Sequence, residues 1–478
     1  MKIPWNRSKY AVFFVASVGI FSVLAIFSSY FPHSTSYLTA HAQELTAAQK
    51  AKLEKELAQV EAEQKLAEVA LSSAQAQSSS LQRDIAVLDA KIKVAQLNIK
   101  AKNLLIESLG KDIKSKEAHI GTLDERIERG RDTLAVIMRK TNEVGSYSLP
   151  EVLLAQSTVS GVLNDLDTLA SVQESLKSTF EQIRSDKSET QAEKSTLEKR
   201  RNTETDARYT IQQEEKNIKG DETEKRRLLT ISKGNEAAYQ ADLAQKRLRA
   251  AEIRAALFPL RGSDPIPFGT AYAYAVEAER KTGVRAAFLL GIFAQESSLD
   301  DDATFGKQIG SCYMTDPVTG NGRGANTGST QSRVMHPTRD VPPFLTIVKA
   351  LNGDPSTTRV SCWQPVYDNV TGESIGWGGA MGPAQFIPST WILYVDRLRA
   401  ALGISTMPSP WNPAHAFMAA SMLLKDNGAA GQTYTTERNA ACKYFSGKAC
   451  PSSGWILTYG NSAMANAEKI QRMINELQ

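Results

Sequence analysis

Apolar residues recur at seven-residue spacing through the first half of the chain. One register consists of Ile85, Ile92, Ile99, Ile106, Ile113, Ile120, Ile127 and Leu134. Only a supercoiled helix keeps such a strict seam buried, so the pattern predicts a coiled coil. The spacing resumes at Leu169, Leu176, Ile183 and Leu197, after a Gly- and Pro-containing interruption. We therefore expect a long antiparallel coiled-coil hairpin over residues 43–254, with its tip at 145–166.

The expected tip is more apolar than its surroundings. It contains Val152, Leu153, Leu154, Val162 and Leu163. Two interpretations stay open for these residues: a plain helical turn, or an exposed knob that binds a partner.

The first 42 residues contain an apolar run from Ala11 to Phe27, preceded by Lys2, Arg7 and Lys9. This charge asymmetry places the N-terminus inside the cell and the rest of the chain outside. Ala40-His41-Ala42 has the form of a signal-peptidase site, while the run approaches the length of a membrane span. A cleaved signal peptide and a retained membrane anchor therefore both stay open. In either case we expect an extracytoplasmic protein, secreted to the cell wall or periplasm or associated with the plasma membrane.

The second half of the chain changes character at residues 255–267, a Pro- and Gly-containing linker. Residues 268–478 then form a region of single-domain size. Its helical patterns cover Thr270–Lys281, Arg285–Ser298, Pro388–Leu402, Pro413–Asp426 and Ser462–Leu477. The Gly-, Pro- and Thr-rich stretch from Asp300 to Gly376 is expected to form loops and short strands.

Charge and cysteine content narrow the function classes. The net charge of +4 comes from interleaved acidic and basic residues, which does not favour nucleic-acid binding. All four cysteines, Cys312, Cys362, Cys442 and Cys450, follow the linker, and an even number in an exported domain suggests two disulfides. The sequence does not choose among the three possible pairings; one of them joins Cys442 to Cys450 in a short loop and leaves Cys312 with Cys362. No zinc-ligand spacing is present and the five histidines are scattered, so we expect no metal site. We expect no cofactor either.

Candidate chemistry begins where an apolar helix meets a carboxylate. Phe288, Leu289, Ile292 and Phe293 form one helical stripe that runs into Glu296 and Ser297. Desolvation there would raise the pKa of Glu296 and let it act as a general acid. The alternative is a surface glutamate that ends a core helix.

A second candidate stretch is GGAMGPAQFIPSTW, from Gly378 to Trp391. Its glycines predict a tight turn, and Pro388 with Ser389 predicts a helix start. No lysine or strand–helix context supports a phosphate loop. Trp377 adjoins this turn and is the tryptophan that we expect to offer an aromatic face to a sugar.

Together, Glu296-Ser297 and GAMGPAQFIPSTW resemble the motifs of lytic transglycosylases in the lysozyme-like superfamily. The resemblance implies a catalytic Glu296 and a glycan cleft lined by Ser297, Met381, Gly382, Gln385, Phe386 and Ser389. Lys443-Tyr444-Phe445-Ser446-Gly447 is similar to the Tyr-Asn-x-Gly segment of the family, with Phe445 replacing Asn, which would place Tyr444 beside the acid. Tyr459-Gly460 before a terminal helix also fits.

The segment from Glu125 to Gln173, with the hairpin around it, resembles the coiled-coil region of division-associated peptidoglycan hydrolases and amidase activators. That resemblance implies docking to a membrane complex for division or secretion and control of an attached enzyme. The expected fold class is mainly α, with an N-terminal membrane segment, the coiled-coil hairpin and a C-terminal lysozyme-like α-rich (α+β) domain.

The two resemblances imply a peptidoglycan lytic transglycosylase that cleaves between N-acetylmuramic acid and N-acetylglucosamine and forms a 1,6-anhydro product. Its partners would be glycan strands, the plasma membrane and a membrane complex. One alternative is a water-using muramidase assisted by Asp300, Asp301 or Asp302. Another is a non-catalytic coiled-coil scaffold or activator with a glycan-binding domain.

Overall fold

The described residues between Ala47 and Ala255 form a long antiparallel helix pair with a further helix at each end. The computed structural model describes residues 47–76, 80–145, 159–231, 236–258, 264–298, 311–363, 366–367 and 374–477. Helices α1 (Ala47–Gln75), α2 (Leu81–Gly145), α3 (Val159–Ile231) and α4 (Glu236–Ala255) come first. Ion pairs join ascending positions on α2 to descending positions on α3: Asp89 with Lys225, Asp112 with Arg200, and Arg126 with Asp186. The predicted antiparallel hairpin is confirmed, while residues 146–158 of its expected tip lie outside the described residues.

The seam between α2 and α3 contains the seven-residue register. Ile113 and Ile120 are buried there with Leu197, as the apolar period predicts. Helices α1 and α4 pack on the outside of this pair, which the seven-residue period did not predict. Helix α1 packs back on α2 through Val60, Ala67 and Leu97. In the same way, Tyr239 of α4 packs against Leu81 and Leu228 and donates a hydrogen bond to Asp84.

The expected linker contains a small strand pair. β1 (Leu257–Phe258) pairs antiparallel with β2 (Ile266–Pro267). The Phe258 ring is buried and lies 6.1 Å from the ring of Phe268, which opens the next helix. The hairpin is therefore joined to the C-terminal region by packed structure.

The C-terminal region is α-rich and contains a small antiparallel sheet. Its helices are α5 (Phe268–Thr282), α6 (Ala286–Ser298), α7 (Val341–Ala350), α8 (Pro388–Leu402), α9 (Pro413–Asp426), α10 (Tyr434–Ser446) and α11 (Trp455–Asn475). Its strands are β3 (Ser311–Asp316), β4 (Asn321–Gly324), β5 (Thr330–Gln331), β6 (Arg359–Ser361), β7 (Val366–Tyr367) and β8 (Ser374–Ile375). The sheet has the order β5-β4-β3-β6, and β7 pairs with β8 separately.

Three helical stretches in this region escaped sequence analysis. Helix α7 opens Val-Pro-Pro, and prolines are tolerated in a first turn although they mimic a loop signal. Helix α10 opens with a threonine-rich turn of low helix propensity, which is stabilised by a capping box between Thr433 and Thr436. Helix α11 starts at Trp455, seven residues before the predicted Ser462.

Helix α6 lies in the core of the C-terminal region. Its apolar side chains are buried all round, not only on the predicted stripe: Leu290 is as inaccessible as Phe288 and Leu289. Gly291 lets α11 approach closely, because a Cβ there would lie 2.8 Å from the backbone nitrogen of Ala467. On another side, Phe293 stacks on Phe417 of α9 with ring centroids 4.0 Å apart.

The two expected disulfides are present and link Cys312 to Cys362 and Cys442 to Cys450, which is the short-loop alternative among the three pairings. They indicate folding in an oxidising, extracytoplasmic compartment. Across the described ranges, no helix is both long enough and apolar enough to cross a membrane. The expected membrane segment at Ala11–Phe27 lies outside those ranges.

Candidate active site

Glu296 occupies the last turn of the buried helix α6. Its side chain is in the core of the region, with 7% of its surface exposed. An isolated ionised carboxylate in such surroundings is costly, so a buried carboxyl group needs hydrogen-bond donors. The burial predicted for Glu296 is therefore present.

Tyr459, in the second turn of α11, donates a hydrogen bond to Glu296. The Tyr459 hydroxyl lies 2.6 Å from Oε1 of the carboxyl group. Burial raises the pKa of Tyr459 well above its ordinary value, and the charge of Glu296 raises it further. The hydroxyl therefore keeps its proton at physiological pH and serves Glu296 as a fixed donor.

Tyr444, near the end of α10, connects Glu296 to the glycine turn. Burial, followed by the charge of Glu296, raises the pKa of Tyr444 well above its usual range. Its hydroxyl donates to the carbonyl oxygen of Ala384, and its ring meets Phe386 edge-on at 6.2 Å. Tyr444 thus contacts the glycine turn, and its pKa responds to the charge of Glu296.

The glycine turn is tightly closed. Gly382 has a φ of 59°, and a Cβ there would lie 1.9 Å from the carbonyl oxygen of Pro410. Gln385 also adopts a positive φ, 52°, and its Nε2 donates to the Gly382 carbonyl oxygen at 2.8 Å. The backbone N–H of Met381 donates to the Phe386 carbonyl oxygen across the turn. A left-handed glutamine is an uncommon conformation that surrounding structure must hold, which is typical of functional turns.

Several residues expected to line a cleft have packing roles instead. Met381 and Phe386 are buried, and Phe386 meets Trp391, Tyr394 and Tyr444 edge-on. Their side chains position the turn rather than offering surface to a ligand.

Ser389 serves the start of α8. Its hydroxyl donates to Oδ1 of Asp340 at 2.6 Å, and the fully buried Asp340 also pairs with Arg339. The buried Asp340 carboxylate was not singled out from the sequence, because nothing near it in the chain marks it as buried.

Trp377 is partly covered. The Arg333 guanidinium carbon lies 4.5 Å from its ring centroid, and the His336 ring lies 5.0 Å away. A sugar could stack only on ring surface that these neighbours leave open.

The Cys442–Cys450 disulfide supports the tyrosine that contacts Glu296. A Cβ at Gly460 would lie 2.7 Å from the Cys442 sulfur, so the disulfide packs directly against the residue after Tyr459. On the other side, Phe445 stacks on the Tyr459 ring with centroids 4.3 Å apart. Sequence analysis noted Tyr459-Gly460 without placing Tyr459 at the acid. No local pattern around Tyr459 marks its partner, which lies 163 residues earlier in the chain.

Some predicted residues fall outside the description. The side chain of Ser297 and the alternative second carboxylates Asp300, Asp301 and Asp302 lie outside the described part of the chain. Within the described part, no group of three or more His, Cys, Asp and Glu residues is arranged to hold a metal ion.

Comparison of the chain with protein-family models, with curated proteins and with solved structures found no match.

Proposed function

We propose that the protein is an exported peptidoglycan lytic transglycosylase whose coiled-coil hairpin positions or regulates it during cell-wall remodelling or division. The observation that carries this proposal is the buried Glu296 carboxyl group with the Tyr459 hydroxyl 2.6 Å from its Oε1. The motif resemblance at Gly378–Trp391, and the contact of Tyr444 with that turn, support the same conclusion.

In the proposed reaction, protonated Glu296 donates its proton to the glycosidic oxygen between N-acetylmuramic acid and N-acetylglucosamine. The resulting carboxylate then takes the proton of the muramoyl 6-hydroxyl, which attacks the anomeric carbon and closes the 1,6-anhydro ring. The substrate supplies its own nucleophile at high effective molarity, so one carboxyl group is sufficient. Tyr459 orients that group and donates to it when it is charged.

The proposed setting is the extracytoplasmic face of the plasma membrane. The two disulfides support an oxidising compartment. We assign the N-terminal segment to export or anchoring and the hairpin tip to a membrane division or secretion complex.

The test is mass spectrometry of fragments released from purified peptidoglycan by the full chain, beside Glu296→Gln. Glutamine keeps the shape of the side chain and removes its acid function, so product release should fall by at least about a hundredfold. The matched control is Glu277→Gln, an exposed glutamate on α5 that pairs with Arg280 and Lys281.

Anhydro-muropeptides from the unmodified chain and the control alone would support the proposal. Reducing-end products would indicate a water-using muramidase. Glycan binding without cleavage would indicate the scaffold alternative, and equal release by Glu296→Gln would refute the role of Glu296.

A further inference from the structure

Helix α3 of the hairpin contacts two helices of the C-terminal region, α10 and α11. These are the helices that carry Tyr444 and Tyr459 to Glu296. The hairpin and these helices belong to the one compact unit formed from Gln43 onward. The contacts described below are made by Asp206, Tyr209 and Lys216 of α3.

Asp206 contacts the N-terminus of α10. Its Oδ1 accepts a hydrogen bond from the backbone N–H of Thr435 at 2.8 Å, and its Oδ2 accepts from the Thr435 hydroxyl at 2.9 Å. The first N–H groups of a helix have no partner inside it, and the helix dipole favours an anion there. Thr433 already caps α10 from within, so Asp206 adds a second, external attachment.

Tyr209, one turn further along α3, contacts both helices. Its ring stacks on Tyr434 at the start of α10, with centroids 4.3 Å apart. Its hydroxyl donates to Oε1 of Glu468 on α11 at 2.9 Å, while the Lys216 ammonium group donates to Oε2 at 3.0 Å. Glu468 lies about 14 Å along α11 from Tyr459, at 1.5 Å per residue.

Arg285 connects the same two helices to α6 beneath this contact. Its guanidinium pairs with the buried Glu437 of α10 at 2.7 Å and donates to Gln471 of α11 at 3.2 Å. Arg285 immediately precedes α6, the helix that ends at Glu296. A displacement of α10 or α11 is therefore passed to the Glu296 helix.

The interface around these contacts is not close-packed. A cavity of about 570 Å³ lies between α3 and the C-terminal helices, lined by Asp206, Tyr209, Arg285 and Glu468 among others. Discrete polar contacts around an open space hold orientation without the large apolar burial of a permanent interface.

We propose that Asp206 and Tyr209 are positioning residues for the reaction at Glu296. The docked hairpin holds α10 and α11 so that Tyr444 and Tyr459 stay at the acid. Docking of the hairpin therefore activates the enzyme. This inference rests on the proposed function. It assigns to this part of α3 a supporting role at the Glu296 site.

The test compares Asp206→Ala, Asp206→Asn and Tyr209→Phe in the full chain. The matched control is Glu215→Ala, which removes an exposed carboxylate from the same helix. We expect kcat for glycan cleavage to fall about tenfold in Asp206→Ala with KM little changed. Asp206 contacts Thr435, which lies about 14 Å along α10 from Tyr444, so the loss acts through the helix and not on the substrate. Asp206→Asn keeps a hydrogen-bond acceptor and should recover part of the loss.

A second readout is independent of catalysis. Amide hydrogen exchange in α10 and α11 should quicken in Asp206→Ala and Tyr209→Phe, while exchange along the α2–α3 seam stays as in the control. Asp206→Ala with kcat equal to or above that of Glu215→Ala would overturn the inference, as would unchanged exchange in α10 and α11. If the unmodified chain cleaves no glycan, the proposed function fails, and the exchange experiment still decides whether Asp206 and Tyr209 hold these helices.

Discussion

Removing one hydroxyl group, in Tyr459→Phe, isolates the contact on which the proposed mechanism depends. The substitution deletes the donor that lies 2.6 Å from Glu296 Oε1. It keeps the ring that stacks on Phe445 at 4.3 Å with an interplanar angle of 5°. Because the ring and its packing are preserved, the change acts mainly on the carboxyl group.

The expected size of the effect follows from the character of the bond. A hydrogen bond between a hydroxyl and a buried ionisable group is worth about 1.5–3 kcal/mol. That strength applies to the carboxylate that forms in the transition state, while the bond to the neutral acid of the free protein is worth about 0.5–1.5 kcal/mol. The variant therefore loses about 1–1.5 kcal/mol of transition-state stabilisation, and kcat/KM falls by about 5- to 13-fold. The loss of thermal stability should be far smaller than the loss caused by removing the whole Tyr459 ring.

The assay is the steady-state rate of release of soluble glycan fragments from peptidoglycan by the full chain. Tyr272→Phe is the matched control, since it makes the same chemical change on α5, where the Tyr272 ring stacks on Phe268. Activity of Tyr459→Phe within about twofold of this control would refute the reasoning, since a functional bond worth more than 1 kcal/mol costs more than fivefold.

Three further predictions concern stability, each measured by urea unfolding. Replacing Cys442 and Cys450 with serine opens the short disulfide loop beside Tyr459 and should cost about 2–3 kcal/mol; an unchanged urea midpoint would contradict this. Gly382→Ala combines a φ of 59° with a Cβ 1.9 Å from a backbone oxygen, so a loss of about 2 kcal/mol or more is expected, and full stability would show that the turn is not as tight as described. The Arg227 side chain, by hydrogen bonding, lowers the pKa of Glu224 from 4.5 to about 2. The contribution of ionised Glu224 to the free energy of unfolding is therefore present above pH 4.5 and lost as the pH falls towards 2. The midpoint difference between the unmodified chain and Glu224→Gln should narrow over that window, and a constant difference would argue against the contact.

The seven-residue period was sufficient to predict the two long helices of the hairpin and the residues between them. A seven-residue period states that Ile113 and Ile120 face a partner, and both are buried. It does not state which segment folds back on which. The packing of Val60 and Tyr239 on the hairpin depends on tertiary contacts that leave no strict period of their own.

At the candidate site, the sequence indicated the candidate acid correctly as a buried carboxyl group, but it did not indicate which neighbouring side chains are exposed. Glu296 was marked by an apolar helix, and its burial follows from that helix lying in the core. The motif around Gln385 could be recognised in the sequence. The sequence alone does not distinguish a side chain that lines a cleft from a buried one, such as Phe386, that packs behind it. Tyr459 and Asp340 act on residues far away in the chain, 163 residues in the case of Tyr459, so local patterns could not reveal their partners.

Helix α3 runs without interruption from Val159 to Ile231, and this continuity has a mechanical consequence. From its first residue to Asp206 the helix is about 70 Å long, at 1.5 Å per residue. The cross-helix pair of Arg126 with the buried Asp186 fixes the alignment of α3 on α2, since sliding by one heptad would leave that carboxylate buried without its partner. The hairpin is therefore rigid along its length. A displacement of its end distant from Asp206 moves α2 and α3 together and reaches Asp206, because the two helices do not slide past each other.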